Sequence, residues 1–172
     1  MSNKKFSFSL VELLVVIAIV GIISAVAIPS YKKYITKAKI SEAMYVVDKI
    51  NKIIRECYIA DGTMPTRAII ARELEAPVSG LNINLNLANV KNVNIDNTGT
   101  ASKLYYGIEF NFDVGGSGRR NIYVAARADL NSITFKCGIW KISSPSSWHI
   151  SDPSYLPNGC NETNVSAFFS AS

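Results

Sequence analysis

Few residues in this chain are of a type and spacing that could do chemistry. The single histidine, His149, stands in the stretch SSPSSWHISDPS, and no acid or nucleophile is set beside it at a spacing that acid–base or nucleophilic catalysis uses. It reads as a surface histidine. Gly115-Gly116-Ser117-Gly118 has the glycine density of a phosphate loop but lacks the Lys-Ser/Thr ending. It also links two strand-like runs instead of opening a helix, so it reads as a hairpin tip. Cys57, Cys137 and Cys160 do not have metal-ligand spacing. No catalytic group, cofactor or metal is expected.

The charge that stands out is Glu12. From Leu13 to Ile28 there is no charged residue, with Glu12 immediately before that run and Pro29 immediately after it. An ionisable side chain at the edge of a membrane-grade segment is costly and marks function. Two roles are open. The carboxylate sits at the headgroup level of a plain anchor, or it meets a cation of another copy shifted along the helix axis, which neutralises two charges that are each expensive alone in hydrocarbon.

The cysteines near the C-terminus suggest a staple. Cys137 ends a strand-like run, and Cys160 closes a Ser- and Pro-rich loop with no apolar pattern of its own. A bridge between them pins that loop to the sheet and is worth about 3 kcal/mol in the chain-entropy model. An oxidising compartment suits this usage. Cys57 falls on the apolar face of a helix, where cysteine behaves as a small buried hydrophobe. Asn161-Glu162-Thr163 and Asn164-Val165-Ser166 match a glycosylation acceptor, a pattern close to chance in an Asn- and Ser-rich tail. Arg119, Arg120, Arg127 and Lys136 fall on or beside adjoining strand-like runs and are the candidates for a phosphate-binding patch, the plainer alternative being scattered solvating cations.

The elements that must position these residues follow from pattern. Of the 172 residues 18% are charged, with a formal net charge of +5, and the apolar run takes a large share of the hydrophobic residues, which leaves one small globular body. Lys4 and Lys5 precede the run, so by the positive-inside tendency residues 1–7 stay cytoplasmic and the chain beyond Pro29 crosses. Ala25 and Ala27 form an A-x-A, but the helical pattern continues through it, so no signal-peptidase loop is marked. The segment from Leu10 to Ile28 has about the length that spans a bilayer, roughly 20 residues. Beyond Pro29 the apolar positions take a helical period through Tyr31, Tyr34, Ile35, Ala38, Ala43, Val46, Val47, Ile50, Ile54 and Cys57, with Lys33, Lys37, Glu42, Lys49, Lys52 and Glu56 opposite. Asp61-Gly62 supplies the stop. One helix from Phe8 to about residue 60, close to 80 Å at 1.5 Å per residue, is predicted, with Pro29 kinking it without ending it. A domain of this size cannot bury such a rod alone, so half of it must be covered by lipid or by other copies of the chain.

Residues 63–100 are the least regular. A short helix is predicted over Arg67 to Ala76, then an extended stretch with Leu81, Ile83, Leu85 and Leu87 on the core side. Three antiparallel strands joined by hairpin-length turns are predicted over about 103–140, followed by a loop up to Cys160.

Phe8 to Tyr31, reading FSLVELLVVIAIVGIISAVAIPSY after the first Phe-Ser, closely resembles the N-terminus of type IV pilins: a processed Phe, a Glu four residues on, an apolar helix holding a Gly, then Ile-Pro and Tyr. Phe8, Glu12, Gly21, Pro29 and Tyr31 stand where that pattern wants them, and the sheet closing on Cys137 and Cys160 looks like the disulfide-bounded loop of the short-leader class. The resemblance implies an α+β, pilin-like fold: a long N-terminal helix of residues 8–61 whose hydrophobic half, 8–28, protrudes, and whose amphipathic half packs on a C-terminal antiparallel sheet. The head, 62–172, carries an αβ loop at 63–100 and the disulfide-bounded loop 137–160. It further implies a leader, residues 1–7, cut by a prepilin peptidase between Ser7 and Phe8, and N-methylation of Phe8. Assembly through Phe8 and Glu12 follows, with Gly21 and Pro29 giving the helix its flexibility. The position before the cut is Ser7 where the family prefers Gly. Loss of Lys4 and Lys5 with the leader takes the formal charge from +5 to +3.

The function implied is a structural, non-enzymatic subunit that sits single-pass in the inner membrane and then polymerises with itself, through the pilus assembly machinery, into a surface filament. Such a filament supports adhesion, surface motility or DNA uptake and meets host surface or DNA. A minor or DNA-receptor pilin is the alternative, and a type II secretion pseudopilin a further one, which the two C-terminal cysteines argue against. An enzyme on a signal anchor has no constellation to support it.

Overall fold

The computed structural model describes residues 9–85, 87–96, 101–112, 114, 121–129, 132–139, 150, 153–160 and 164–170. Its first element is α1, Leu10–Asp61, unbroken through Gly21 and Pro29. Pro29 has no N–H to give the carbonyl of Ala25. One residue on, Ser30 Oγ donates to the Val26 carbonyl at 3.0 Å, which supplies a side-chain donor to the turn that Pro29 weakens.

The chain forms two compact units, residues 1–35 and 36–172. In the first, every apolar side chain from Leu10 to Ile28 is exposed. This stretch is long and apolar enough to cross a membrane. Tyr31 and Tyr34, expected to continue the apolar face of the amphipathic half, are 67% and 71% exposed, so that face begins later, at Ile40.

In the second unit the remainder of α1 buries Ile40, Ala43, Val46, Val47, Ile50, Ile53 and Ile54, a stripe at the i, i+3, i+4 spacing of one helix face. Gly62, at φ 69°, takes the left-handed position after α1, and its N–H bonds to the Tyr58 carbonyl at 2.9 Å. A second helix, α2, runs over Arg67–Glu73, with Thr66 as N-cap accepting from the Ile69 N–H at 3.4 Å. It ends in paired bonds from the N–H groups of Glu75 and Ala76 to the carbonyls of Arg72 and Ala71, with Glu75 held at φ 54° where glycine is usual.

The sheet has six antiparallel strands in the order β1-β2-β3-β4-β5-β6: β1 Val78–Ser79, β2 Asn82–Ile83, β3 Val90–Asp96, β4 Lys103–Phe110, β5 Asn121–Asp129 and β6 Ser132–Gly138. The last three are the strands expected over 103–140. The first three come from the segment expected to be least regular, and they extend the sheet back to Val78. The expected run of inward leucines is shorter than its alternation: Ile83 is buried, Leu85 and Leu87 pack partly against the core, and Leu81 is 58% exposed because it lies in the turn between β1 and β2.

One sheet face supplies the core through Val93, Ile95, Leu104, Tyr106, Ile108, Ile122 and Val124. Tyr106 ties it to α1: its hydroxyl bonds to Asn51 Oδ1 at 2.9 Å and donates to the Val47 carbonyl at 3.2 Å. On the other face, Tyr123 lies against Gly107, where an added Cβ would come within 2.8 Å of the ring, so β4 needs glycine there. A short helix, α3, Val165–Ser170, follows beyond the loop expected to close at Cys160. Asn164 caps it, accepting from the Ala167 N–H at 3.2 Å and from Ser166 Oγ at 2.6 Å.

Candidate functional site

The first turn of α1 is built from the sequence Ser9-Leu10-Val11-Glu12. Ser9 Oγ accepts from the Val11 N–H at 3.2 Å, and Glu12 reaches back so that its Oε2 accepts from the Ser9 N–H at 2.8 Å. This is the reciprocal capping arrangement of a Ser three residues before a Glu. The carboxylate also lies at the positive end of the longest helix in the chain. Neither role weighed from sequence, headgroup contact or intermolecular pairing, included this one, although Ser-x-x-Glu ahead of an apolar run is a readable signal. Around Glu12 the side chains of Val11, Val15 and Val16 are 65%, 52% and 51% exposed. The carboxylate is therefore set in an apolar surface that no described residue of its own unit covers.

Ser7 and Phe8, the expected cleavage and methylation positions, lie outside the described residues. Gly21 is a bare notch in the same surface: a Cβ there would meet nothing within 4 Å beyond the helix backbone around it. Its lack of a side chain answers no packing demand among the described residues.

Cys137 and Cys160 form the expected disulfide, with their Cα atoms 4.4 Å apart and both side chains buried. Cys57 forms no disulfide and packs partly against the core. Burial, with smaller contributions from Asp61, Glu73 and Glu56, raises its thiol above the usual range, so it stays protonated and poorly nucleophilic near neutral pH.

Of the four candidate cations of a phosphate patch, Arg119 and Arg120 lie outside the described residues. Arg127 and Lys136 share the sheet face away from α1, where Arg127 faces Thr134 and Lys136 faces Ala125 across the β5–β6 ladder. The Arg127 guanidinium stacks 5.0 Å from the Phe168 ring centroid and lies beside Asp129 at 3.8 Å. Packing against α3 thus accounts for Arg127.

Two contacts that the sequence did not signal fasten residues 63–100 to the core. Arg67 donates through Nε and Nη2 to the Ile95 carbonyl at 3.1 and 2.6 Å, and Asn89 Nδ2 donates to Glu42 of α1. Asn111 holds the Leu87 and Ala88 carbonyls from the other side. A cleft beside α1 and the end of α2 is lined by apolar side chains such as Val46, Leu74, Leu85 and Leu87 together with Tyr45, Lys49, Glu75 and Asn84.

Comparison with known proteins agrees in both units. Residues 2–28 match the prokaryotic N-terminal methylation motif, and residues 36–161 match the family described as pilin (bacterial filament). A type IV major pilin of Neisseria gonorrhoeae is 31% identical over 139 residues, covering 80% of this chain and 78% of that one. A fimbrial protein of Moraxella nonliquefaciens is 30% identical over 135 residues, covering 74% and 80%. A fimbrial protein of Neisseria meningitidis serogroup A is 39% identical over a shorter stretch of 66 residues, 38% of this chain and 39% of that one.

Proposed function

The chain belongs to the family of bacterial filament pilins, and from that premise we propose that it is the structural subunit of a type IV pilus that supports adhesion, surface motility or DNA uptake. The observation that carries this is the uncovered first half of α1, apolar throughout, with one carboxylate in its first turn. A prepilin peptidase cuts between Ser7 and Phe8, Phe8 is N-methylated, and the subunit waits single-pass in the inner membrane. On assembly its apolar half exchanges lipid for the same half of neighbouring copies. The new α-amine of Phe8 on one copy then meets Glu12 of another, which removes two costly charges from an apolar interior at once. The relatives named pilin and fimbrial protein support the same reading.

Two substitutions separate the capping role of Glu12 from its charge. Glu12→Gln keeps an acceptor for the Ser9 N–H and loses the charge; Glu12→Ala loses both. Both variants are expected to insert in the membrane, and both are expected to fail to form filaments by electron microscopy. Normal filaments from Glu12→Gln would show that the charge has no part in assembly.

A further inference from the structure

At two places in the chain a glycine follows an acid or its amide, Asp61-Gly62 and Asn158-Gly159. Such a step holds latent backbone chemistry, because an unhindered glycine nitrogen lies one ring closure away from the side-chain Cγ before it. Both glycines sit in the left-handed region, at φ 69° and 87°, and a Cβ on either would meet nothing within 4 Å beyond its chain neighbours. They differ at nitrogen. The Gly62 N–H is held by the Tyr58 carbonyl at 2.9 Å, where α1 ends. The Gly159 N–H has no acceptor among the described residues: the bond that closes its turn runs around it, from the Cys160 N–H to the Pro157 carbonyl at 3.0 Å. Asn158 and Gly159 are exposed, while Leu156 and Cys160 on either side of the turn are buried.

We propose that Asn158 is a site of self-modification, converted by its own backbone to aspartate and isoaspartate with water as the co-reactant. The Gly159 nitrogen gives its proton to solvent base and bonds to Asn158 Cγ. The bond from Cγ to Nδ2 breaks, and Nδ2 leaves as ammonia, taking its third hydrogen from solvent. Water then opens the cyclic imide. Opening at the new bond to Cγ gives aspartate, and opening at the original peptide carbon gives isoaspartate, in which the backbone is one carbon longer. No oxidant or reductant is needed. Three observations carry the proposal. The attacking nitrogen has no hydrogen bond to break. The peptide joining Asn158 to Gly159 can rotate while the bond between Cys160 and Pro157 stays closed, since glycine accepts backbone angles on both sides. The turn is open to the water that takes the proton and hydrolyses the ring. Either product adds a carboxylate and takes the formal charge of the chain from +5 to +4, on the loop that the bridge between Cys137 and Cys160 holds to the sheet. None of this depends on the filament reading.

The test follows the full chain in detergent, folded or unfolded in guanidinium with the disulfide reduced. Proteolytic peptides are weighed and isoaspartate is labelled with an isoaspartyl methyltransferase. In the folded chain the peptide holding Asn158 is expected to gain the mass of OH in place of NH2, faster as pH rises, and to take the label. Its rate is expected to lie within about tenfold of the unfolded chain, because a peptide plane must turn but no hydrogen bond must break. Asn158→Gln is expected to abolish both signals, and Asp61 to take label only in the unfolded chain. Protection of Asn158 beyond that tenfold, or label on this peptide that survives Asn158→Gln, overturns the proposal. Equal labelling of Asp61 and Asn158 in the folded chain overturns the role given to the free N–H.

Discussion

Over its first half α1 exposes its apolar side chains on every side, while over its second half it shows a narrow buried stripe from Ile40 to Ile54 with charged residues around it. The two halves are continuous in backbone, and the first is helical although Gly21, Pro29 and its many Val and Ile residues favour helix less, so what separates them is what each has to meet. The second half meets a sheet in its own chain, and a stripe is enough. The first half has apolar residues all round, the pattern of a helix surrounded by lipid or by other helices. Polar contacts follow the same division. Tyr106 reaches α1 at Val47 and Asn51 in the second half, whereas among the described residues Glu12 accepts from Ser9 in its own first turn.

The largest test of this contrast is a matched pair of truncations. Ile50→Ala removes a fully buried side chain and is expected to cost about 2–5 kcal/mol of stability in thermal unfolding of the full chain in detergent. Ile17→Ala, at a position 56% exposed, is expected to leave that stability unchanged and to weaken filament formation instead. Equal losses of stability would mean that the two halves do not differ in the way described.

A smaller change sharpens the same boundary. Tyr106→Phe deletes the hydroxyl that bonds to Val47 and Asn51 and is expected to cost about 1–2 kcal/mol. Burial, with Asp48 adding to it, holds the Tyr106 phenol well above its ordinary range. The folded state therefore keeps this proton where the unfolded chain loses it. Stability is flat in this respect below about pH 10 and falls as pH rises beyond it. Chemical denaturation across that range should show the slope in the wild type and a shallower one in Tyr106→Phe.

The smallest effect is of opposite sign. Glu75 sits at φ 54° in the cap of α2, a conformation that glycine takes without strain. Glu75→Gly is expected to stabilise the second unit by up to about 1 kcal/mol in the same unfolding measurement, since the relief of strain exceeds the extra flexibility of the unfolded chain. A loss of stability would mean that the carboxylate itself holds the cap.

Long periodic segments were legible in the sequence. The buried stripe of α1 beyond Ile40 and the strands β4, β5 and β6 follow from spacing, because each repeats one simple demand over many residues, while the bridge between Cys137 and Cys160 is legible from the loop that the two cysteines bound. Short elements were legible only in part: α2, expected over Arg67 to Ala76, runs over Arg67–Glu73, whereas β1, β2 and α3 were not foreseen. Strands of two residues such as β1 and β2 carry no period, and their place depends on long-range anchors such as Arg67 on Ile95 and Asn89 on Glu42. The six residues of α3 are set by the Asn164 cap, which in sequence looks the same as a glycosylation acceptor. Tyr31 and Tyr34 fit the helical period yet are exposed, since periodicity reports a face and not what covers it. At Glu12 the sequence exposed the cost of the charge, and the structure added the bond to Ser9 that accompanies it.

The strictly sequential order of the six strands has a consequence for life in a crowded array. The strand that ends the sheet on one side, β1, is two residues long, and the strand on the other, β6, is tied at Cys137 to the C-terminal segment. At the β1 edge so short a strand offers few unpaired backbone groups for a stranger to pair with. In the filament proposed above, heads held side by side would therefore find little at the β1 edge to which another sheet could add, and contact there would be made through side chains.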